Sequence, residues 1–292
     1  MKVGVMPALP NPIATREFIA AFGRAIEERG FHSLWVPEHV VLFDEYASRY
    51  PYSPDGRVPA GDEVGVLDPL DTLAFLAGVT ERIRLATGIC LVPQRSPVYT
   101  AKQAATVDWL SGGRLDFGVG VGWLREEFEA LGVPWERRGA RTRECLLVMR
   151  SLWCDRVSRF DGEFYQLAEC RQYPKPIQQP HPPIHFGGES DAALRRVAEL
   201  GQGWYGFDLE PQEVRPRLER LDGFLAESGR SRDEIWITIS PYMRGCDRDR
   251  LERYRDAGVD QVIVLCGART LDRVLERLDG LVKELVEPAL GM

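Results

Sequence analysis

Residues 83–122 contain three consecutive readings: Ile83-Arg84-Leu85-Ala86-Thr87-Gly88-Ile89-Cys90, then a helical stretch from Val98 to Leu110 stopped by Ser111-Gly112-Gly113, then Leu115-Asp116-Phe117-Gly118-Val119-Gly120-Val121-Gly122. Two short, nearly continuous apolar runs joined by one longer helical segment are the mark of parallel strands connected by a crossover helix, covered on the outer face. The same unit repeats outward in both directions. Upstream come the strand Val3 to Met6, a helix from Arg16 to Glu28 and the strand with its exit, Ser33-Leu34-Trp35-Val36-Pro37-Glu38-His39. The helix carries Phe18, Ala21, Phe22, Ala25 and Ile26 on one face, and Gly30 ends it. A second helix spans Asp68 to Val79. Downstream, Pro183 to Gly188, Trp204 to Phe207, Ile235 to Ile239 and Gln261 to Cys266 read as strands. Helices over 141–153, 191–200, 213–227, 248–257 and 271–286 alternate with them. Eight strand–helix units predict an α/β fold of the (β/α)8 TIM-barrel type with insertions, as a single domain over residues 1–292. A doubly wound open sheet is the competing arrangement.

Two segments break the alternation. Residues 43–67 are rich in Pro, Gly, Asp and Tyr without a clean period. Long irregular loops in compact domains tend to be functional covers, so this one is expected to lie over the barrel mouth as a lid. A disordered insertion and a dimer contact are the alternatives. The second insertion, about 136–170, holds an amphipathic helix and a hairpin turning at Asp161-Gly162.

Composition narrows the function. The net charge is −7 and the pI about 5.3, which argues against the basic face of a nucleic-acid partner. Six cysteines occur without a C-x-x-C pair, the pattern of reduced thiols in a cytoplasmic protein. Met1-Lys2-Val3-Gly4-Val5-Met6 enters a strand directly, unlike a secretion signal. No apolar stretch approaches the roughly 20 residues of a membrane span.

In a barrel, chemistry sits at the carboxyl ends of the strands. That rule selects Glu38 and His39, then Thr87, Gly88 and Ile89, then Val121, Gly122 and Trp123, and finally Gly187-Gly188-Glu189-Ser190. A histidine leaving a strand can donate to a cofactor or shuttle a proton near neutrality, or it can be structural. Gly187-Gly188 followed by a helix start suits an anion, with Ser190 adding a hydroxyl; Ser190 or Asp191 as a plain N-cap reads equally well. His181-Pro182-Pro183-Ile184-His185 lacks helical i, i+4 geometry and accompanying ligands, so no metal is expected. Gly118-Val119-Gly120-Val121-Gly122-Trp123 fails as a dinucleotide fingerprint at Trp123. Its small residues instead suit a planar ring close to the backbone.

Taken together, these residues resemble luciferase-like oxidoreductases. Leu34 to His39, Arg82 to Gly88, Lys102 to Arg114, Gly118 to Trp123 with Glu127-Phe128 and Gly132, and Phe186 to Ser190 with Ala192 to Ala198 and Gly203-Trp204 match the family's motifs in order. The resemblance implies a barrel without metal, a homodimer, and hydride transfer or oxygen activation at a ring bound in the barrel mouth. It implies that His39 faces the ring, that Thr87, Gly88 and Ile89 line it with a non-prolyl cis peptide at about Gly88-Ile89, and that Gly187 to Ser190 hold the phosphate. Val121 stands where FMN-using relatives carry an arginine toward the phosphate; losing a charge-assisted bond costs about 1.5–3 kcal/mol. The glycine pattern and the insert Tyr50 to Gly56 resemble the coenzyme F420 (deazaflavin) branch. A glutamate that sugar-phosphate dehydrogenases of this branch carry after the fourth strand is replaced by Gly122 or Trp123, which disfavours sugar phosphates. The expected function is therefore a coenzyme F420-dependent oxidoreductase acting on a small molecule. The alternatives are an FMN-dependent two-component monooxygenase and a catalytically idle cofactor-binding homologue.

Overall fold

A computed structural model describes residues 1–8, 10–59 and 65–292. Residues 60–64 of the expected cover loop lie outside the described residues. The strands that close on one another are β1 (Lys2–Pro7), β2 (Ser33–Val36), β3 (Arg84–Thr87), β4 (Leu115–Val119), β7 (Ile184–Gly187), β8 (Gly203–Phe207), β9 (Trp236–Tyr242) and β10 (Gln261–Cys266). They run parallel in the order β1-β10-β9-β8-β7-β4-β3-β2. The seam is in full register, from Lys2 opposite Gln261 to Pro7 opposite Cys266. A closed barrel of sequential strand–helix units is thus the observed architecture. The hairpin of β5 (Ser158–Asp161) and β6 (Gln166–Cys170) stands apart as an antiparallel pair.

The helices follow the periodicity of the chain. They are α1 (Arg16–Glu28), α2 (Pro69–Ala77), α3 (Pro97–Ser111), α4 (Arg125–Ala130), α5 (Arg138–Cys154), α6 (Asp191–Leu200), α7 (Pro211–Glu227), α8 (Arg248–Asp256), α9 (Leu271–Leu281) and α10 (Glu287–Leu290). Thr15 caps α1 by accepting from the Phe18 amide, and Gly112 ends α3 in the left-handed region at φ 67°. The last helix expected from the sequence is interrupted by a π-helical turn, Val282–Val286, between α9 and α10.

Two strands end earlier than their apolar runs. β3 stops at Thr87 rather than Cys90, and β4 at Val119 rather than Gly122. The Gly88–Ile89 peptide is cis, as the resemblance implied. A single bridge, Cys90 to Val119, resumes the pairing beyond it. The apolar residues past those points line the barrel mouth instead of extending the wall.

Inside the barrel, Trp35 stacks on Tyr205 with ring centroids 4.8 Å apart, and His185 meets Trp35 edge-on at 5.4 Å. Met6, Ala86 and Ile263 complete this layer. At the amino-terminal end, Arg84 holds Asp116 through two bonds of 2.6 Å. Burial alone would raise the Asp116 carboxyl, but His185 and Arg84 outweigh it and pull the pKa down to about 2. Strands β3 and β4 approach so closely that a Cβ on Gly118 would lie 2.0 Å from the Thr87 carbonyl oxygen. That oxygen belongs to the barrel backbone and cannot step aside. Gly118→Ala is expected to lower unfolding stability by about 1–3 kcal/mol, the usual cost of overpacking. Urea denaturation would show it as a lower midpoint, and an unchanged midpoint would contradict the packing described.

Candidate active site

The carboxyl ends of the barrel strands surround a cavity of about 430 Å³. His39, Gly88, Ile89, Val121, Gly122, Gly187 and Gly188 line it together. Thr87, Glu189 and Ser190 do not. Thr87 is fully buried in the wall, where its hydroxyl donates to the Gly118 carbonyl at 2.6 Å. The Glu189 carboxylate accepts from the Phe207 amide at 2.9 Å and lies 3.5 Å from the Tyr52 hydroxyl. Burial pushes the Glu189 carboxyl above its ordinary value. Ser190 caps α6, its Oγ accepting from the Ala193 amide at 3.3 Å, so the N-cap reading of this residue holds at that atom.

One wall of the cavity is nearly bare backbone. A Cβ on Gly120 would fall 1.9 Å from Ile89 Cδ1, and one on Gly187 would fall 2.9 Å from the same atom. Glycines at both positions let the Ile89 side chain lie flat against the strand ends. The resulting slot suits a planar ring, which is the fit that a flavin or deazaflavin requires. Gly188, at φ 106°, takes a conformation that side-chain-bearing residues rarely adopt.

His39 is the cavity's one imidazole, and its setting is specific. Trp123 Nε1 approaches His39 Nε2 at 3.4 Å. Indole nitrogen only donates, so Nε2 is the acceptor and the proton of the neutral ring sits on Nδ1. Nδ1 lies 3.4 Å from Glu127 Oε2, within ion-pair range though not aligned as a hydrogen bond. Glu127, on α4, is wholly buried. Its Oε1 accepts from the amides of Val40 at 2.7 Å and Val41 at 3.3 Å, and its Oε2 from Gln94 Nε2 at 3.0 Å. Burial tends to raise the Glu127 carboxyl; His39, Gln94 and the Val40 amide more than offset it and hold it below its ordinary value. Glu38, the residue before His39, points the other way. Its carboxylate accepts from the Leu91 amide at 2.5 Å and from Arg95 Nε at 2.6 Å, and Arg95 also pairs with Asp68.

The cover segment reaches the cavity through Tyr50, Pro51, Tyr52 and Val58. Glu126 on α4 anchors it by accepting from the Ala47 and Ser48 amides at 2.7 and 3.2 Å. Phe207 and Tyr242, at the carboxyl ends of β8 and β9, close the far side. Both stand where the strand-end rule, extended to β8 and β9, points.

No motif announced Arg138. Its Nε donates to the Gly122 carbonyl at 3.2 Å, and its guanidinium lies 3.6 Å from the centroid of the Trp135 ring. Arg196 on α6 stands near it, with Nη1 3.1 Å from where a Cβ of Gly139 would be. Burial lowers the pKa of both guanidiniums. Glu199, whose charge reaches Arg196, is itself paired with Arg143 at 3.0 Å. A cation therefore does stand at the exit of β4, supplied by α5 rather than by position 121.

A barrel with a glycine-walled slot, a histidine held between Trp123 and Glu127 and a loop lining its mouth is the arrangement of a luciferase-like oxidoreductase. Residues 3–281 match the model of the luciferase-like monooxygenase family, and the chain belongs to that family. An uncharacterised protein of Mycobacterium tuberculosis is 34% identical over 247 residues, covering 85% of this chain and 84% of its own length. The 5,10-methylenetetrahydromethanopterin reductase of Archaeoglobus fulgidus is 28% identical over 86% of this chain and 66% of its own length. An FMNH(2)-dependent dimethylsulfone monooxygenase of Pseudomonas putida is 38% identical over 44% of this chain and 36% of its own length. The solved coenzyme F420-dependent tetrahydromethanopterin reductase of Methanopyrus kandleri shares the fold, with a TM-score of 0.75 at 18% identity over 98% of this chain and 99% of that one.

Because the Glu127 carboxyl is depressed in the fold, its stabilising effect is complete above its ordinary value of 4.5 and fades as pH falls through the lower, folded value. Glu127→Gln is expected to cost about 1–3 kcal/mol at pH 7, with the gap to the parent narrowing on acidification. Denaturation curves at neutral and acid pH would test this. A gap independent of pH would show that the charge is not its source.

Proposed function

We propose that this chain is a coenzyme F420-dependent oxidoreductase, moving hydride to or from a small organic substrate at the barrel mouth. The observation that carries the reading is the slot formed by Ile89 lying over Gly120 and Gly187, with His39 Nε2 presented as an acceptor at its edge. When bound there, the deazaflavin would supply the carbon centre that gains or gives up the hydride. His39 would take or return the substrate's proton at Nε2, with Glu127 fixing the ring's orientation and tautomer. Arg138, Arg196 and the amides from Gly187 to Ser190 would hold the phosphate. Tyr50 and Tyr52 of the cover would exclude water. Val121 in the lining, in place of a charged residue, supports the deazaflavin over FMN.

Arg138 favours a second reading. A guanidinium beside Gly122 would serve a flavin monophosphate, which makes an FMN-dependent monooxygenase the alternative. Parallel fluorescence titration of the purified protein with coenzyme F420 and FMN separates the two. Tight binding of F420 with weak FMN binding is expected, and the opposite preference would transfer the assignment to FMN. In the F420-loaded enzyme, His39→Ala is expected to lower kcat by about 10²–10⁴-fold, the usual contribution of a positioned acid–base group. Unchanged turnover would remove that role.

We also place the chain in the cytoplasm as a single-domain homodimer. Tyr99, Trp109 and Leu110 are exposed along α3, and Tyr173 and Ile177 flank them, an apolar face that a second copy would cover. Light scattering on a size-exclusion column is expected to give twice the 33.0 kDa chain mass; a monomer would refute it. Among the described residues, no helix is long and apolar enough to cross a membrane.

A further inference from the structure

We propose that the substrate carries no negative charge: a small, mainly apolar molecule presenting one hydroxyl or carbonyl oxygen to His39. The inference deepens the oxidoreductase reading and rests on the cavity being the substrate site. Its first support is charge. No lysine or arginine lines the cavity among the described residues. Residue 9 and residues 60–64 are Leu and Ala-Gly-Asp-Glu-Val, which contain none either. The lining carboxylate, Glu38, is already engaged by Leu91 and Arg95. An anion entering this space would lose its hydration and find no counter-charge. The Glu189 carboxylate, 3.5 Å from the Tyr52 hydroxyl, stands behind the ring wall and would repel it further. Arg138 and Arg196 are not among the residues that line the cavity; Arg138 is engaged by the Gly122 carbonyl at the β4 exit.

The second support is shape. Trp123, Tyr50, Tyr52, Phe207 and Tyr242 form an unbroken chain of rings, with successive centroids 5.1, 5.4, 4.7 and 4.6 Å apart. Such a wall gives an apolar body large contact area and little to hydrogen-bond. Polar atoms are few. His39 Nε2 and Trp123 Nε1 face each other at 3.4 Å. The buried Tyr205 hydroxyl, near Ser240 but without a well-formed hydrogen bond, sits in the floor. The Trp123–His39 contact is long, so a substrate oxygen that reaches His39 Nε2 competes with a weak partner. Because a tricyclic ring would share the same 430 Å³, the molecule must also be small.

Calorimetric titration with matched pairs tests the proposal: cyclohexanone against 4-oxocyclohexanecarboxylate, and benzyl alcohol against 4-(hydroxymethyl)benzoate, each with and without coenzyme F420. The neutral member of each pair is expected to bind at least about tenfold more tightly. Met243 lies at the cavity rim and is 64% exposed, so Met243→Lys adds a cation without disturbing the core. That variant is expected to close most of the gap by improving the anion alone, with an unchanged melting temperature. Anions binding as well as the neutral molecules, no saturable binding of either neutral molecule, or a gap untouched by Met243→Lys would overturn the proposal. Loss of F420 binding with the neutral preference intact would remove the cofactor assignment and leave this one standing.

Discussion

Two buried carboxylates hold the mouth of this barrel on its β2–β4 side. Glu38 and Glu127 together accept from three backbone amides, a glutamine and an arginine, and Glu127 also draws His39 into place. A buried carboxylate without such partners would be costly, so each strongly favours the loop arrangement that satisfies it. The consequence is geometric. The exit of β2, the turn after β3 and helix α4 cannot shift independently, and the imidazole between them has one orientation. A histidine on a long loop exit would otherwise sample many rotamers; here its position is inherited from the packing of α4 against the barrel.

The same economy divides the site by polarity. Backbone and apolar side chains face the interior of the cavity, while the guanidiniums of Arg138 and Arg196 stand outside the β4 exit. A group bound inside thus meets a medium of low polarity, where a single well-placed hydrogen-bonding group has more influence than it would in water.

The barrel itself was legible because most of its strands are short apolar runs followed by a helix, several of which, such as α1, α6 and α9, show a clear apolar face. Ser33–Val36 and Leu115–Val119 are buried at every position, which is what parallel strands under helices require. Strand ends were less legible. The apolar run past Thr87 continues because Gly88 and Ile89 face the cavity, and composition does not separate a cavity lining from a wall. His39 and the glycines emerged from the strand-end rule. Glu127 was visible only as part of the Glu127-Phe128 motif, without a role, since that role depends on the amide of Val40, 87 positions away in the chain. Arg138 was invisible for the same reason: nothing local marks a side chain that crosses from the start of α5 to the carbonyl of Gly122. Contacts of that span are decided by how the helices seat on the barrel, which a linear pattern does not encode.

The stacked pair of Trp35 and Tyr205 has a kinetic corollary. With Met6, Ala86 and Ile263 it seals the middle of the barrel, separating the mouth from a lower chamber lined by His32, Arg84 and His185. The protein is a well, not a tunnel. Whatever enters must leave by the opening it used, and two ligands occupying it together must do so in sequence.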